Sequence, residues 1–457
     1  MEAVTSGAAA PATLERMPNS AAQRSRIQAI RRHGGVGRFG HCLTGGLRLD
    51  GTVGLDELAS SLARMAGRHP ALTATFEGSD THTTGAAEIP IEIRDVSGRT
   101  AADRWSRALA MAEAESERPF SPTDPSRCRV SLIRVEVDLH LLVLAVDPLV
   151  CDAWSVNILI EELASPTAGD GDDGYREVWD ERQRWLTSDS GLVACRQRRA
   201  VVGGALDRWP VGIADRAEGS PARATERYLA IDDAVARGVQ EKLRNERSTL
   251  LAVAAAAAVL GIAPGADPLA LRSTFAGRET SAEQAVVGAV ATKAVMRTPP
   301  AVGSLATYLK DLRSEVFACL GAQRVAYELV ADTLAAGPAD GASVALVVLP
   351  KDLSGGTQRE LTVAGALASR TAVSVCPTGA DIDLFVLEGA PPMQTVEPAE
   401  LTIGACSWRG DTDEWVDRLL VRWRAAFAAL SKLDWGRDIA VVRLRVEQEM
   451  SRFEALR

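Results

Sequence analysis

The sequence lacks the residue patterns of a metal site, a disulfide framework and a membrane segment. Its 457 residues include five histidines, none at metal-ligand spacing, and seven cysteines without a CxxC pair. Widely spaced cysteines in odd number are typical of reduced thiols, so we expect a cytoplasmic protein. The N-terminal residues have no apolar segment of a signal peptide, and the longest apolar run, Leu250 to Ile262, is too short to span a bilayer.

The net charge and the length of the chain further restrict the class of protein to which it can belong. A net charge of -9 leaves no broad basic face for nucleic acid. Hydrophobic residues at 46% and charged residues at 24% are ordinary for a globular chain, and this length predicts about two to four domains. Residues 166–174, Pro-Thr-Ala-Gly-Asp-Gly-Asp-Asp-Gly, have the composition of a linker. We therefore expect a loose tail over residues 1–16, a first domain over 17–175 and a second over 176–457.

The first half shows clear secondary-structure patterns. Apolar residues at spacings of three and four predict an amphipathic helix over Leu55 to Arg68. Two apolar runs, Arg129 to Val137 and Leu141 to Val146, are joined by a short polar turn and predict a hairpin. The second run is almost wholly apolar, so we expect a central strand, and Trp154 to Leu163 has helical spacing. The nine residues from Asp147 to Ser155 thus lie where a strand passes through a loop into a helix, a place where side chains often face a cleft.

Seven segments, taken in chain order, resemble the condensation domains of nonribosomal peptide synthetases. They are Met17-Pro-Asn-Ser-Ala-Ala-Gln23 (the family's LSPAQ), Arg68-His69-Pro70-Ala71-Leu72 with Phe76 (RHEALRTRF), Pro119-Phe120-Ser121 (PFDL), the nonapeptide 147–155, Ala276-Gly277-Arg278 with Val287-Gly288 (AGR…VG), Gln323 to Glu328 (HQDVPFE) and Asp383-Leu384 (FDL). Together they cover about residues 17–440.

This resemblance implies a fold, partners and a type of site. The fold is α/β (α+β), with two chloramphenicol-acetyltransferase-like lobes arranged in a V and a tunnel at their interface. The substrates are acyl or aminoacyl thioesters carried on the phosphopantetheine of partner carrier proteins, and the domain holds no cofactor and no metal. Met1 and the absence of an attached carrier or adenylation segment predict a stand-alone protein, which we expect to be a monomer.

The nonapeptide departs from the usual HHxxxDG motif of the family. Asp147 and Pro148 stand where the two histidines belong, Asp152 keeps the aspartate, and Ala153 replaces the glycine. Proline cannot accept a proton, so the usual general-base role of the second histidine is lost. The spacing of Asp147, Asp152 and Ser155 instead resembles DxxxxDxxS of the heterocyclisation branch, and Trp154 also suits that branch.

The resemblance assigns roles to individual residues. Asp152 is expected to form an ion pair with Arg278 that holds the loop, or to act with Asp147 in acid/base catalysis if the two carboxylates lie close together. Asp147 serves either the cleft or the loop. Ser155 is expected near a helix N-cap and Cys151 as a buried, inert thiol.

The heterocyclisation branch also uses a late Thr and a following Asp as a proton shuttle. Asp383 matches the Asp, with either a catalytic role or a place at a strand edge. The strand Val344 to Leu349 lacks the Thr, for which Ser354 and Thr378 are nearby substitutes.

Three functions fit these residues. The leading one is a condensation and heterocyclisation protein that acts in trans, with Asp147 and Asp383 in the chemistry. The second is an inactive relative that keeps the fold and docks carrier proteins or tailoring enzymes. The third is an amide-forming enzyme that works without the motif histidine.

Overall fold

The strands in the described part of the chain form two six-stranded sheets and one small three-stranded sheet. The computed structural model describes residues 15–33, 41–85, 87–121, 123–164, 173–211, 225–263, 265–338, 341–349, 361–371, 378–388, 399–409 and 413–455. Most of the segment with linker composition, residues 166–172, lies outside this part of the chain, as do residues 1–14 and Ser354. Helices pack on the sheets, so the predicted α/β fold class is confirmed.

The first lobe is built on one large sheet and the small one. In spatial order the large sheet contains β12 (Leu361–Val363), β13 (Ala366–Thr371), β2 (Leu43–Asp50), β7 (Leu139–Val146), β6 (Cys128–Arg134) and β5 (Ile91–Asp95). The small sheet contains β1 (Glu15–Pro18), β4 (Thr81–Thr84) and β3 (Thr75–Glu77). The helices of this lobe are α1 (Ala21–His33), α2 (Leu55–Arg68), α3 (Ala101–Ser116) and α4 (Ala153–Ala164).

The second lobe is built on the other six-stranded sheet. In spatial order it contains β10 (Thr292–Arg297), β9 (Ala270–Phe275), β11 (Val344–Leu349), β14 (Ile382–Glu388), β15 (Leu401–Ser407) and β8 (Thr225–Ala230). The remaining helices are α5 (Tyr175–Thr187), α6 (Asp189–Val202), α7 (Asp233–Asn245), α8 (Leu250–Ile262), α9 (Ser281–Ala285), α10 (Leu305–Gly321), α11 (Asp413–Lys432) and α12 (Ile439–Ala455).

Hydrophobic patterning explains the best-defined elements. Helix α2 has the predicted bounds, and its Leu58, Leu62 and Met65 are buried. The predicted hairpin forms as β6 and β7. Strand β7 lies in the interior of its sheet with side chains buried on both faces, as its apolar sequence predicts. His140, which the sequence places in the hairpin turn, is instead a buried residue of β7.

Helix α8 is apolar on every side and is buried along its length from Ala252 to Ile262. Small side chains let α11 approach closely: a Cβ at Gly261 would lie 2.9 Å from the carbonyl oxygen of Arg422. Among the described residues no single helix is long and apolar enough to cross a membrane. Helices α7 and α8 reach that length and composition only as a pair, across a bend of 119°.

Elements from the second half of the sequence become part of the first lobe. Strand β13, from the second half, pairs antiparallel with β2 and so extends the first sheet. Arg370 of β13 also donates hydrogen bonds to Asn157 and Glu161 of α4. Tyr175 and Trp179 of α5 pack in the first lobe's core as well. Residues from the second half of the sequence thus contribute to the core of the first lobe. The predicted boundary near residue 175 therefore does not divide the two hydrophobic cores.

Strand β13 offers a matched pair of substitutions to test this exchange. Ala368 is buried under the first lobe, whereas Leu367, the preceding residue on the opposite face, is 48% exposed. We expect Ala368→Asn to lower the free energy of unfolding by about 2–4 kcal/mol, because a larger side chain with an unpaired amide enters a packed core. Leu367→Asn is the control and changes it far less. Urea denaturation measures both values, and equal losses would contradict the inward orientation of Ala368.

Candidate functional site

The central motif joins β7 to α4, as the sequence predicts. Strand β7 ends at Val146, and α4 begins at Ala153. Pro148 has no N–H to continue a strand, and the amide of Val150 closes a turn by donating to the carbonyl of Asp147 over 3.0 Å. The six residues between strand and helix therefore form a tight loop at the end of a central strand.

The carboxylate of Asp147 is paired with Arg127, which immediately precedes the neighbouring strand β6. Its Oδ2 lies 3.2 Å from Nη1 of Arg127, and its Oδ1 accepts the amide of Leu149 at 2.9 Å. Arg127 is fully buried, donates from Nε to the carbonyl of Ala74 at 2.6 Å and lies over the ring of Phe76. Burial lowers the pKa of Arg127, and the charge of Asp147 opposes that shift. Asp147 is thus the counter-ion of a buried cation and a cap of its own loop.

Asp152 is surrounded by donors from both lobes. Nη2 of Arg278 lies 3.0 Å from each carboxylate oxygen. The amide of Ser155 donates to Oδ1 at 2.8 Å, and the amides of Val290 and Ala291 donate to Oδ2 at 3.1 and 2.8 Å. Charge-assisted bonds of this kind are strong in a buried setting. The expected Asp152–Arg278 pair is therefore present, and it fixes residues of the second lobe against the motif.

Ser155 and Trp154 complete this junction. The Ser155 hydroxyl is fully buried and lies 2.8 Å from Oδ1 of Asp152, while accepting hydrogen bonds from Nη2 of Arg278 and from the amide of Gly288. Trp154 donates from Nε1 to the carbonyl of Gln284 at 3.0 Å. Both residues therefore connect α4 to the segment that follows Arg278, and a buried hydroxyl with these partners is a structural group.

Asp383 is held by a different set of residues. It lies on β14, is fully buried, and accepts a hydrogen bond from Nε1 of Trp408 at 2.9 Å. The hydroxyl of Thr378 donates to its other oxygen. Burial raises the pKa of Asp383, and the hydrogen bonds from Thr378 and Trp408 offset part of that shift. Thr378, one of the two nearby substitutes that the sequence offers for the threonine absent from β11, is thus in contact with Asp383.

Further polar groups lie on the same face of the second sheet. Strand register places Asp383 beside Cys406 and Cys406 beside Glu226. Tyr228 donates a hydrogen bond to Glu226, and its ring occupies the space over Gly404, where a Cβ would lie 2.4 Å from the ring. Burial raises the pKa of Glu226.

The first lobe contacts this region through His41, whose ring meets that of Trp408 edge-on at 4.8 Å. Neither Glu226, Tyr228 nor His41 belongs to a recognisable motif, and only strand register brings the first two to Asp383.

Cys151 is buried and has the predicted character of an inert thiol. Its side chain is 2% exposed and lies 3.5 Å from the carbonyl of Asp152. Burial raises the pKa of Cys151 well above its usual range, and the charge of Asp152 acts in the same direction. A protonated, enclosed thiol is a poor nucleophile.

Breaking the Asp152–Arg278 pair tests its structural weight. We expect Arg278→Met to lower the free energy of unfolding by about 3–5 kcal/mol, because it leaves a buried carboxylate without its cation. The double variant Asp152→Asn with Arg278→Met loses less than Arg278→Met alone, since it removes the buried charge as well. Urea denaturation of the two single variants and the double variant measures the coupling, and additive losses would contradict it.

Comparisons of the sequence with known proteins find similarity to parts of nonribosomal peptide synthetases. No protein-family model matches the chain. Cyclosporin synthetase simA of Tolypocladium inflatum is 26% identical over 339 residues, which are 66% of this chain and 2% of that protein. Nonribosomal peptide synthetase kk1B of Curvularia clavata is 26% identical over 357 residues, which are 71% of this chain and 3% of that protein. The chain therefore spans only a small part of the curated relatives it matches.

Solved structures superpose over nearly the whole chain. The X-domain from teicoplanin biosynthesis has a TM-score of 0.75 at 19% identity, covering 96% of this chain and 98% of that one. The condensation domain of the Monacolin K polyketide synthase MokA has a TM-score of 0.73 at 13% identity, covering 94% and 100%. The X-domain was also solved in complex with OxyB, with a TM-score of 0.73, 18% identity and coverage of 96% and 97%. The chain has the fold of condensation domains, and its sequence relatives include nonribosomal peptide synthetases.

Proposed function

We propose that this chain is a condensation-fold docking protein, which binds carrier proteins or tailoring enzymes of a nonribosomal peptide synthetase and does not use its central motif for catalysis. The proposal rests on one observation: the polar side chains of the motif are already paired with other groups of the chain. Asp147 and Asp152 each pair with a buried arginine, and the buried Ser155 hydroxyl is bonded to Asp152 and Gly288. Pro148 occupies the position at which the family's general base belongs.

General-base chemistry needs a lone pair that can reach the substrate. A base also needs a pKa near the operating pH. The oxygens of Asp152 receive the guanidinium of Arg278, the amide and hydroxyl of Ser155 and the amides of Val290 and Ala291. These donors occupy both oxygens of the carboxylate, and a proton on either oxygen would disrupt the ion pair that holds the junction. The same groups that hold the lobes together thus oppose a catalytic role.

The solved neighbours support docking as an alternative to catalysis. The teicoplanin X-domain, which superposes over nearly the whole chain, was solved with OxyB bound. We extend that behaviour to this chain as part of the proposal. Its partners would be carrier proteins that present acyl or aminoacyl groups on phosphopantetheine, or enzymes that modify them, and it would act on these partners in trans without a cofactor of its own.

Reconstitution with two loaded carrier proteins tests the proposal. One carrier holds an acyl thioester and the other a cysteinyl thioester. We expect both carriers, or an OxyB-type tailoring enzyme, to bind the chain in size-exclusion chromatography and calorimetry, while intact mass spectrometry shows no transfer between carriers. Asp147→Asn, which keeps the shape of the side chain, should change partner affinity less than twofold.

Two results would overturn this function. Transfer of the acyl group to the cysteinyl carrier that Asp147→Asn abolishes would make Asp147 catalytic. Transfer that survives Asp147→Asn would indicate amide formation without the motif, which depends on positioning two thioesters.

Heterocyclisation is the second candidate, and the contact between Thr378 and Asp383 favours it. A buried carboxyl with a raised pKa beside a hydroxyl is suited to moving a proton. By resemblance, Asp383 matches the Asp with which the heterocyclisation branch is credited, and Thr378 would substitute for its Thr. Ring formation would remove one water beyond amide formation.

The same reconstitution separates this candidate from docking. If the wild type releases that water, we expect Asp383→Asn and Thr378→Val to lower the rate of ring formation at least tenfold while amide formation continues. Thr362→Val, at the exposed middle position of β12, is the matched control and should leave both rates unchanged. Ring formation at an undiminished rate in Asp383→Asn would eliminate Asp383 from the chemistry.

A further inference from the structure

His69 lies between two carboxylates where the lobes meet. Its Nε2 is 2.7 Å from Oε2 of Glu162 on α4, and its Nδ1 is 2.7 Å from Oδ2 of Asp173. The imidazole is completely buried. A neutral imidazole has one N–H and one lone pair, so it can donate to only one of these anions. Two carboxylates at hydrogen-bond distance on opposite sides of the ring therefore require the imidazolium.

The same carboxylate binds the second lobe. Oδ2 of Asp173 accepts the amide of Val287 at 2.8 Å, and Oδ1 accepts the amide of Tyr175 at 3.1 Å. The amide of Asp173 donates to the carbonyl of Arg68, next to His69. Asp173 thus connects the end of α2, the start of α5 and residue 287 in one group.

Residues 286–291, which we call the crossing loop, are hydrogen-bonded to the first lobe by two carboxylates and by the Ser155 hydroxyl, which contacts Gly288. Asp173 holds the amide of Val287, and Asp152 holds the amides of Val290 and Ala291. Each carboxylate has a cation behind it, Arg278 for Asp152 and His69 for Asp173. Arginine keeps its charge at every pH that a protein experiences, whereas histidine titrates near neutrality. One anchor is therefore permanent and the other depends on protonation.

We propose that His69 is a pH-sensitive latch, which as an imidazolium between Glu162 and Asp173 fastens the crossing loop to the first lobe beside the central motif. Deprotonation removes the positive charge between the two carboxylates and leaves them facing each other across a neutral ring. Asp173 then loses the positive charge that holds it beside the Val287 amide, and the loop opens at that end. This inference stands apart from the docking or catalytic function of the chain.

The charged surroundings set the direction of the response. The groups facing His69 are Glu162 from α4, Asp173 from the segment before α5, and the preceding residue Arg68, whose Nε lies 3.0 Å from Glu162 Oε1. Burial acts to lower the pKa of His69, but the hydrogen bonds to Asp173 and Glu162 raise it, and the net shift is upward. The latch is therefore fully closed below the ordinary histidine pKa of about 6.5 and opens as the pH rises through the higher value in the folded chain.

Imidazole NMR of the full chain with labelled histidine measures this directly. We expect His69 to titrate above pH 6.5, and the pKa to fall in both Glu162→Gln and Asp173→Asn. His82 is an internal reference, because burial lowers its pKa to about 4 and its partners, Asn19 and Tyr175, carry no charge. A His69 pKa at or below 6.5 in the folded wild type would overturn the latch.

Amide exchange of the crossing loop provides the second readout. Above the His69 pKa we expect the protection factor of the Val287 amide to fall about tenfold per pH unit until the loop opens fully. The amides of Val290 and Ala291, held by Asp152, are the matched control and keep their protection. Asp173→Asn should expose Val287 even at low pH, whereas Glu162→Gln should shift the loss of protection to lower pH. Val287 protection that does not change with pH would reject the mechanism, even if His69 titrates as expected.

Discussion

The pairing of Asp152 with Arg278 is the interaction on which the junction of the two lobes depends. The two residues are 126 positions apart in the sequence, and both are buried. Neither charge would tolerate burial alone, since an isolated ion loses its hydration without compensation. Their mutual neutralisation allows α4 of the first lobe and the crossing loop of the second to meet in direct hydrogen bonds. The hydroxyl of Ser155 and the amides of the loop then find partners in the same place.

Four aspartates show how environment decides what a carboxylate can do. Asp147 and Asp152 have buried arginines as partners, and Asp173 has an imidazole that can lose its charge. Asp383 has a hydroxyl and an indole N–H, and burial raises its pKa. The first two serve structure. Asp383, whose pKa is raised by burial, and Asp173, whose partner His69 titrates, both lie outside the central loop.

The exchange of elements between the halves explains why the molecule is not simply two domains in series. The first sheet is completed by β13 from the second half, and the crossing loop returns to α4 and the segment before α5. Movement of one lobe relative to the other must therefore strain hydrogen bonds at separate places. The pH-sensitive contact, made by Asp173 with Val287, is one such place, and it lies in the same loop as the permanent contact of Asp152 with Val290.

The sequence by itself determined helix α2, the β6–β7 hairpin and the position of the motif at a strand-to-helix loop, because hydrophobic periodicity is a local property, while the fold class came from the family resemblance. Through family resemblance it also identified Arg278 as the partner of Asp152. Only the tertiary structure decided that Arg127 neutralises Asp147, that Thr378 and Trp408 bind Asp383, and that Glu226 stands in register with it. The ion pair between Asp152 and Arg278, the insertion of β13 and the pairing of His69 with Asp173 join residues far apart in sequence. Such contacts are set by how the two sheets pack together, and no local pattern of residues records that packing.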